Sequence, residues 1–298
     1  MIDVIIVGAG PAGLTAAIYL LRANKKVLVL EAKAYGGAII NTSCIENYPA
    51  CPKISGYDFA TNLYQQVKDL NGEVNFEKVI EIKNGKEKEV ITSKGKYLAK
   101  VVIIATGTTN RTLGIGEDKY IGKGVSYCAT CDGNFYKGKI VSIVGGGNTA
   151  IEDAIYLSDI AKKVYLIHRR DEFRAFSKEI ELLKKKDNVT FILNSNITKL
   201  NGKDNLESIV VTDNQGKNKN IVTDGLFIAI GQNPENDLFK DFIKLDDNGY
   251  VKSNSTLTNI KGIFVAGDVR SKSVRQLVTA TSDGAIAAME AINYLNNQ

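Results

Sequence analysis

A strand, a glycine-rich turn and a helix are written twice in this 298-residue chain, and few patterns restrict a fold as tightly. Residues 2–7 form a nearly continuous apolar run with β-branched members, Gly8-Ala9-Gly10-Pro11-Ala12-Gly13 follows, and residues 14–23 are rich in helix formers. Residues 139–144, then Gly145-Gly146-Gly147-Asn148-Thr149-Ala150, then residues 151–158 repeat the arrangement. Unbroken apolar strands are what a parallel sheet buried on both faces needs. Between strand and helix, glycines at this spacing allow a tight turn, a close approach to pyrophosphate and close helix packing, while the helix start offers free N–H groups to phosphates. Repeats this far apart indicate duplicated domains rather than a solenoid, and the length suits about two domains. The expectation is an α/β protein with two dinucleotide-binding domains.

The two copies differ where a dinucleotide is told apart. A second strand, residues 26–30, ends on Glu31, whose carboxylate suits a ribose 2′-hydroxyl. Glu31 lies 23 positions after Gly8 (31 − 8), and the same offset from Gly145 reaches position 168 (145 + 23). There the strand of residues 163–167 runs into His168-Arg169-Arg170, with Arg174 a turn later. A carboxylate would repel a 2′-phosphate, whereas guanidinium groups bind it in pairs of hydrogen bonds, so the second site should take NADPH. Each copy has a later strand: residues 101–105 lead into Thr106-Gly107, and residues 226–230 into Gly231-Gln232-Asn233-Pro234. A last apolar strand ends on Gly267-Asp268 before a helix expected over residues 274–294. Asp268 falls where a strand end meets a cofactor crevice, although an aspartate there also suits a helix cap.

Between the copies lies Tyr127-Cys128-Ala129-Thr130-Cys131-Asp132-Gly133. Its Cys-x-x-Cys fits a redox disulfide, a zinc ligand pair or coincidence, and the motif alone leaves all three open. The single histidine, His168, removes most Cys-His, Ser-His-Asp and multi-histidine metal schemes. With 38 basic and 33 acidic residues interleaved, the net charge of +5 does not call for nucleic acid. No leader-like start and no apolar run of about 18 to 20 residues are visible, so no membrane is expected and a cytoplasmic setting is. In that reducing setting a Cys-x-x-Cys is catalytic or metal-binding rather than a staple.

The motifs taken together, Gly8 to Gly13, Cys128-Ala129-Thr130-Cys131-Asp132-Gly133, Gly145 to Ala150, His168-Arg169-Arg170-Asp171-Glu172-Phe173-Arg174 and Gly267-Asp268, resemble the bacterial low-molecular-weight thioredoxin reductases over essentially the whole chain. The resemblance implies two Rossmann-like, three-layer (ββα) domains, an FAD domain formed by residues 1–112 and 237–298 and an inserted NADPH domain, residues 113–236, that carries the cysteine pair. It further implies a homodimer, a rotation between domains and thioredoxin as protein substrate. Carried over by position, Cys131 is the sulfur nearest the flavin, Cys128 the thiol that attacks thioredoxin and Asp132 the acid/base residue. Gly8, Gly10, Pro11, Ala12, Gly13, Glu31, Gly37, Asn47, Thr106, Gly107, Gly267, Asp268, Arg275 and Gln276 are implied to hold FAD. Gly145, Gly147, Asn148, Thr149, Ala150, His168, Arg169, Arg170 and Arg174 are implied to hold NADPH, with no metal.

Three features depart from the family pattern. Ala38 stands where the family has glutamine, which removes a side-chain partner for FAD. Leu113-Gly114-Ile115-Gly116-Glu117 lacks a proline near the expected hinge. Cys44 and Cys51 lie outside the pattern and are read as free thiols. Ferredoxin as an alternative donor is disfavoured by the intact second glycine motif and its arginines, and a flavin subunit of a peroxide-reducing system would carry a further N-terminal redox domain. A non-enzymatic, zinc-stabilised or dinucleotide-sensing protein would need the cysteines as ligands.

Overall fold

The computed structural model describes residues 1–42 and 44–297, which divide into two compact units, Met1–Thr109 with Asn233–Gln298 and Asn110–Gln232. In chain order the first unit contains β1 (Ile2–Val7), α1 (Pro11–Arg22), β2 (Val27–Glu31), α2 (Gly56–Asp69), β3 (Glu73–Phe76), β4 (Val79–Lys83), β5 (Lys88–Thr92) and β6 (Lys96–Ile104). β7 (Thr108–Asn110) leads out. The second unit then contains β8 (Val125–Ser126), α3 (Ala129–Asp132), β9 (Ile140–Gly145), α4 (Asn148–Ile160), β10 (Lys163–Ile167), α5 (Ser177–Lys184) and β11 (Val189–Ile192). β12 (Ser195–Asn201), β13 (Ser208–Asp213), β14 (Asn218–Val222) and β15 (Gly225–Ala229) complete it; β16 (Gln232–Pro234), paired with β7, leads back to β17 (Ile263–Val265) and α6 (Leu277–Asn296).

In the first unit the parallel order is β3-β2-β1-β6, with β17 on the far side of β6 and the antiparallel pair β5-β4 branching from β6's earlier residues. Alternation along β1 sets the layers. Val4 and Ile6 join Val29, Ile103 and Phe264 against α1 and α6, while Ile5 and Val7 join Leu28, Ile104 and Val265 on the opposite face. That face is covered by Val79, Ile82 and Val90 of the hairpin and by Phe239, Ile243 and Val251. A fully buried side chain of this size contributes about 1.5 to 3 kcal/mol, so both faces of the strand fix its place. α1 packs on α6 through alanines, and a Cβ on Gly284 would stand 2.2 Å from the Ala12 carbonyl oxygen.

The second unit repeats the plan as an all-parallel sheet β11-β10-β9-β15-β8. Val141, Ile143, Val164 and Leu166 face α4, whereas Val144, Ile167, Leu226 and Ile228 face the antiparallel sheet β12-β13-β14. Two Rossmann-like, three-layer units are thus present. One difference matters for chemistry. The fifth position of the parallel run is filled in the first unit by β17, which leads into Gly267-Asp268, and in the second by β8, which leads into the cysteine pair. The cysteines therefore stand at the carboxyl edge of their sheet, the edge where such folds bind ligands.

The helices begin earlier than helix formers suggest, at Pro11 and Asn148 rather than at 14 and 151. Proline is tolerated in a first turn, whose N–H groups need no helical partner, so half of each glycine motif is already helix. Among the described residues no helix is long and apolar enough to cross a membrane.

Candidate functional site

At the carboxyl edge of the first unit the glycine turn is shaped by contact rather than by flexibility. Gly8 has φ +110°, and a Cβ there would stand 2.3 Å from the Ala105 carbonyl oxygen; one on Gly13 would stand 1.9 Å from that of Gly8. Gly10 starts α1 with no side-chain cap, so first-turn N–H groups stay available, while Pro11 opens the helix and Ala12 packs close to Gly267. Glu31 is held against this turn, its Oε2 accepting from Ala9 N–H (2.8 Å) and its Oε1 from Lys33 N–H (2.9 Å). Gly36 N–H donates to the Ala9 carbonyl at 2.8 Å, which brings Gly37 beside Gly10. Ala38 is exposed in the one-turn helix Gly37–Asn41.

The rest of that edge comes from later in the chain. Asn47 Nδ2 donates to Gln276 Oε1 at 3.3 Å. Thr106 Oγ1, before Gly107, is buried with no hydrogen-bond partner among the described residues. Asp268 Oδ1 is buried too, 3.3 Å from Lys272 Nζ yet without a well-formed hydrogen bond, and burial raises its carboxyl above the ordinary range against the pull of Lys272 and Arg275. Arg275 packs over the Tyr250 ring at 4.0 Å and donates from Nε to the Asp268 carbonyl at 3.3 Å.

In the second unit a Cβ on Gly145 would stand 2.3 Å from the Ala229 carbonyl oxygen, and one on Gly146 2.0 Å from the His168 ring. Gly147 starts α4 with no side-chain cap and open space around it; Thr149 is exposed and Ala150 buried. Asn148 Oδ1 accepts from Phe176 N–H at 3.2 Å, and Arg174 N–H donates to the Gly146 carbonyl at 2.7 Å, which ties the arginine loop to the glycine turn. His168 is buried, donates from Nε2 to the Glu172 carbonyl (3.1 Å) and stacks on Phe173. Burial, then the neighbouring Arg169, Arg170 and Arg174, lowers its pKa, so at neutral pH the ring is a packed wall rather than a charge. The three arginines are exposed and form no ion pair among the described residues.

Cys128 and Cys131 are joined in a disulfide with Cα atoms 5.3 Å apart, Cys128 starting the short helix α3. Asp132 closes α3, half-buried, and burial raises its carboxyl while a hydrogen bond from Ser126 lowers it. Ser126 is the last residue of β8, and its Oγ lies 2.6 Å from Asp132 Oδ2 and accepts from Cys128 N–H at 3.0 Å. A disulfide beside a carboxyl that retains its proton more readily than usual is equipped for thiol exchange with proton transfer.

The sequence of residues 2–284 matches the family model described as pyridine nucleotide-disulphide oxidoreductase. The chain belongs to this family. Two family members named thioredoxin reductase match at nearly full length. That of Mycoplasma genitalium is 43% identical over 294 residues, covering 97% of this chain and 93% of the relative, and that of Bacillus subtilis is 41% identical over 299 residues, covering 98% and 94%. A crystal structure of thioredoxin reductase from Streptococcus pyogenes superposes with TM-score 0.96 at 41% identity, covering 100% of this chain and 99% of that one.

Within this pyridine nucleotide-disulphide oxidoreductase, three structural residues escape sequence reading. Ser126 and Asp283 act through side-chain contacts that leave no spacing signature. Glu117 is buried, and its carboxylate accepts from the N–H groups of Leu113, Gly114 (3.2 Å) and Ile115 (3.0 Å). The segment without proline is therefore held by a carboxylate instead, and those backbone bonds keep Glu117 below the usual range despite its burial. Cys44 and Cys51 are free and half-buried; Tyr48 and Cys51 bridge, as do Ile45 and Ile54. Among the described residues no cluster of three or more histidine, cysteine or acidic side chains is arranged to hold a metal.

Proposed function

We propose that this protein is an NADPH-dependent thioredoxin reductase whose working group is the Cys128–Cys131 disulfide, and the observation that carries the reading is that disulfide, set at the carboxyl edge of the second unit's sheet beside Asp132. Family membership brings FAD and NADPH as cofactors. The residues fit both. Thr106 Oγ1 and Asp268 Oδ1 are buried polar atoms without a hydrogen bond among the described residues, which a hydroxyl-bearing flavin chain would provide, and the uncapped start of α1 suits its pyrophosphate. Arg169, Arg170 and Arg174, in ion pairs with no carboxylate among the described residues, fit a 2′-phosphate, and the uncapped start of α4 fits the pyrophosphate of NADPH. When bound, FAD supplies two-electron chemistry between a nicotinamide and a disulfide.

The chain's own residues then carry out the exchange. Once reduced, Cys128 as thiolate attacks one sulfur of the thioredoxin disulfide, forming a mixed disulfide and releasing one thiolate of thioredoxin. Cys131 as thiolate attacks Cys128 Sγ, closing the Cys128–Cys131 bond and releasing the second. Thioredoxin gains two electrons and two protons, the protons being those that the Cys128 and Cys131 thiols give up in turn and Asp132 hands on to each departing thiolate. The assignment of the two cysteines is tested with a thioredoxin that keeps a single active-site cysteine, presented as its mixed disulfide with a small aromatic thiol that serves as the leaving group. Cys131→Ser should accumulate a mixed disulfide with it and Cys128→Ser should not; the opposite pattern reverses the roles.

A homodimer is part of the proposal. Val278, Ile286 and Met289 are exposed on one side of α6, and such apolar side chains favour burial against a second copy. The working place is a reducing compartment, because a pair that must return to the dithiol needs one.

A further inference from the structure

We propose that Ser126 is a positioning residue that keeps Asp132 hydrogen-bonded in both of its protonation states, so that the carboxyl group can cycle a proton without ever losing its partner. The inference rests on Cys128–Cys131 as the working disulfide with Asp132 as its acid/base group. Ser126 is 5% exposed, and its backbone is fixed by the pairing of β8 with Phe227 of β15. Three groups surround its hydroxyl: Cys128 N–H at 3.0 Å, Asp132 Oδ2 at 2.6 Å and the Cys128 carbonyl oxygen at 3.3 Å.

A hydroxyl has one proton and two acceptor lone pairs. The Cys128 N–H occupies one lone pair. With Asp132 ionised, the hydroxyl proton points to Oδ2. With Asp132 protonated at Oδ2, that O–H donates to the second lone pair and the hydroxyl proton turns to the Cys128 carbonyl. No heavy atom moves between the two states. The other carboxyl oxygen, Oδ1, is buried without a hydrogen-bond partner among the described residues, so Ser126 is the side chain on which the balance depends. Because the same hydroxyl accepts from Cys128 N–H, the carboxyl is also held in register with the cysteine it serves.

Other titrating groups lie close by. Tyr127 and Tyr136 are pushed up to about 12 by burial and stay neutral, but Asp153 on α4, which packs against α3, is pushed up to about 7 by burial and by Glu152. The test therefore has to separate Asp132 from Asp153. Single-turnover reduction of oxidised thioredoxin by the pre-reduced enzyme is followed across pH. Ser126→Ala should slow it about tenfold, a minor share of the roughly 10²- to 10⁴-fold that a placed proton donor supplies. Its alkaline limb should move to higher pH, because the ionised carboxylate has lost a donor. Ser126→Thr should restore both, flavin reduction by NADPH should stay unchanged, and in an Asp132→Asn background Ser126→Ala should add nothing.

An unshifted pH profile, or the same loss in the Asp132→Asn background, overturns the inference. Ser126→Cys, close in size and a poor donor, replaces the alanine variant if the latter does not fold. A wild type whose cysteine pair is reduced by NADPH yet is inert to thioredoxin overturns the functional reading instead, and the same comparison is then read with a small aromatic disulfide as oxidant.

Discussion

Asp283 is 3% exposed and accepts four hydrogen bonds: from Gly267 N–H at 3.1 Å, from Arg270 Nε and Nη2 at 2.8 Å each, and from Lys272 Nζ at 2.9 Å. Burial raises its carboxyl, but the bonds from Arg270 and Lys272 outweigh that and leave it below the ordinary value. A lowered carboxylate contributes stability above its unfolded pKa of about 4, and the contribution fades as pH falls through the lower folded value. Removing this carboxylate leaves the Arg270 guanidinium without its partner, so Asp283→Ala should cost about 3 to 5 kcal/mol by denaturant unfolding at neutral pH, and the cost should shrink as pH falls below the unfolded carboxyl value of about 4. Asp132 has the opposite sign. Its folded carboxyl is raised, so the fold holds the proton more tightly than the unfolded chain and stability declines as pH climbs from the unfolded value through the folded one. Asp132→Asn should therefore melt at a higher temperature than wild type near pH 8 and show little advantage near pH 3; an equal advantage at both would mean that ionisation is not the cause.

At the scale of elements, the glycine motifs were legible because Gly8, Gly13 and Gly145 each answer to a backbone atom close in the chain or on the next strand. Gly13 faces the Gly8 carbonyl and Gly145 the Ala229 carbonyl, so the pattern survives as a spacing. The arginine loop was legible for the same reason, since it lies a fixed offset after its turn. The meander β12-β13-β14 and the hairpin β4-β5 were not, because their half-exposed strands alternate apolar and polar residues too briefly to stand out. Ser126 and Glu117 were hidden for a different reason: their partners are single atoms, met once, with no periodicity to detect. A Cβ on Gly146 meets the His168 ring, so Gly146→Ala should displace that ring or the arginine loop tied to Gly146. Overpacking of this kind costs about 1 to 3 kcal/mol. The variant should bind NADPH more weakly while keeping its flavin, as measured by isothermal titration and visible absorbance; flavin loss would show that the damage reaches the other unit.

For the whole molecule, the resemblance carried in the motifs reached the fold and the family, and the two units share one plan with different fifth strands. The consequence is a division of labour. Arg169→Ala with Arg170→Ala should weaken NADPH by roughly 1 to 3 kcal/mol per lost charged contact and leave NADH almost untouched, as read from the two Michaelis constants. Equal effects on both would remove the 2′-phosphate role. Sedimentation should give twice the chain mass, and Ile286→Asp with Met289→Asp should halve it if the outer side of α6 joins two copies.

Electrons from NADPH should reach thioredoxin through a disulfide of this chain, and anaerobic titration counts them. A two-electron flavin and a two-electron disulfide together consume about two equivalents of NADPH. Wild-type protein should take up that amount and give two electrons to each oxidised thioredoxin added afterwards, while the variant with both Cys128 and Cys131 changed to serine should take up about one equivalent and give none to thioredoxin. A wild type that stops at about one equivalent, or a double variant that still reduces thioredoxin, would show that the electrons do not pass through this disulfide.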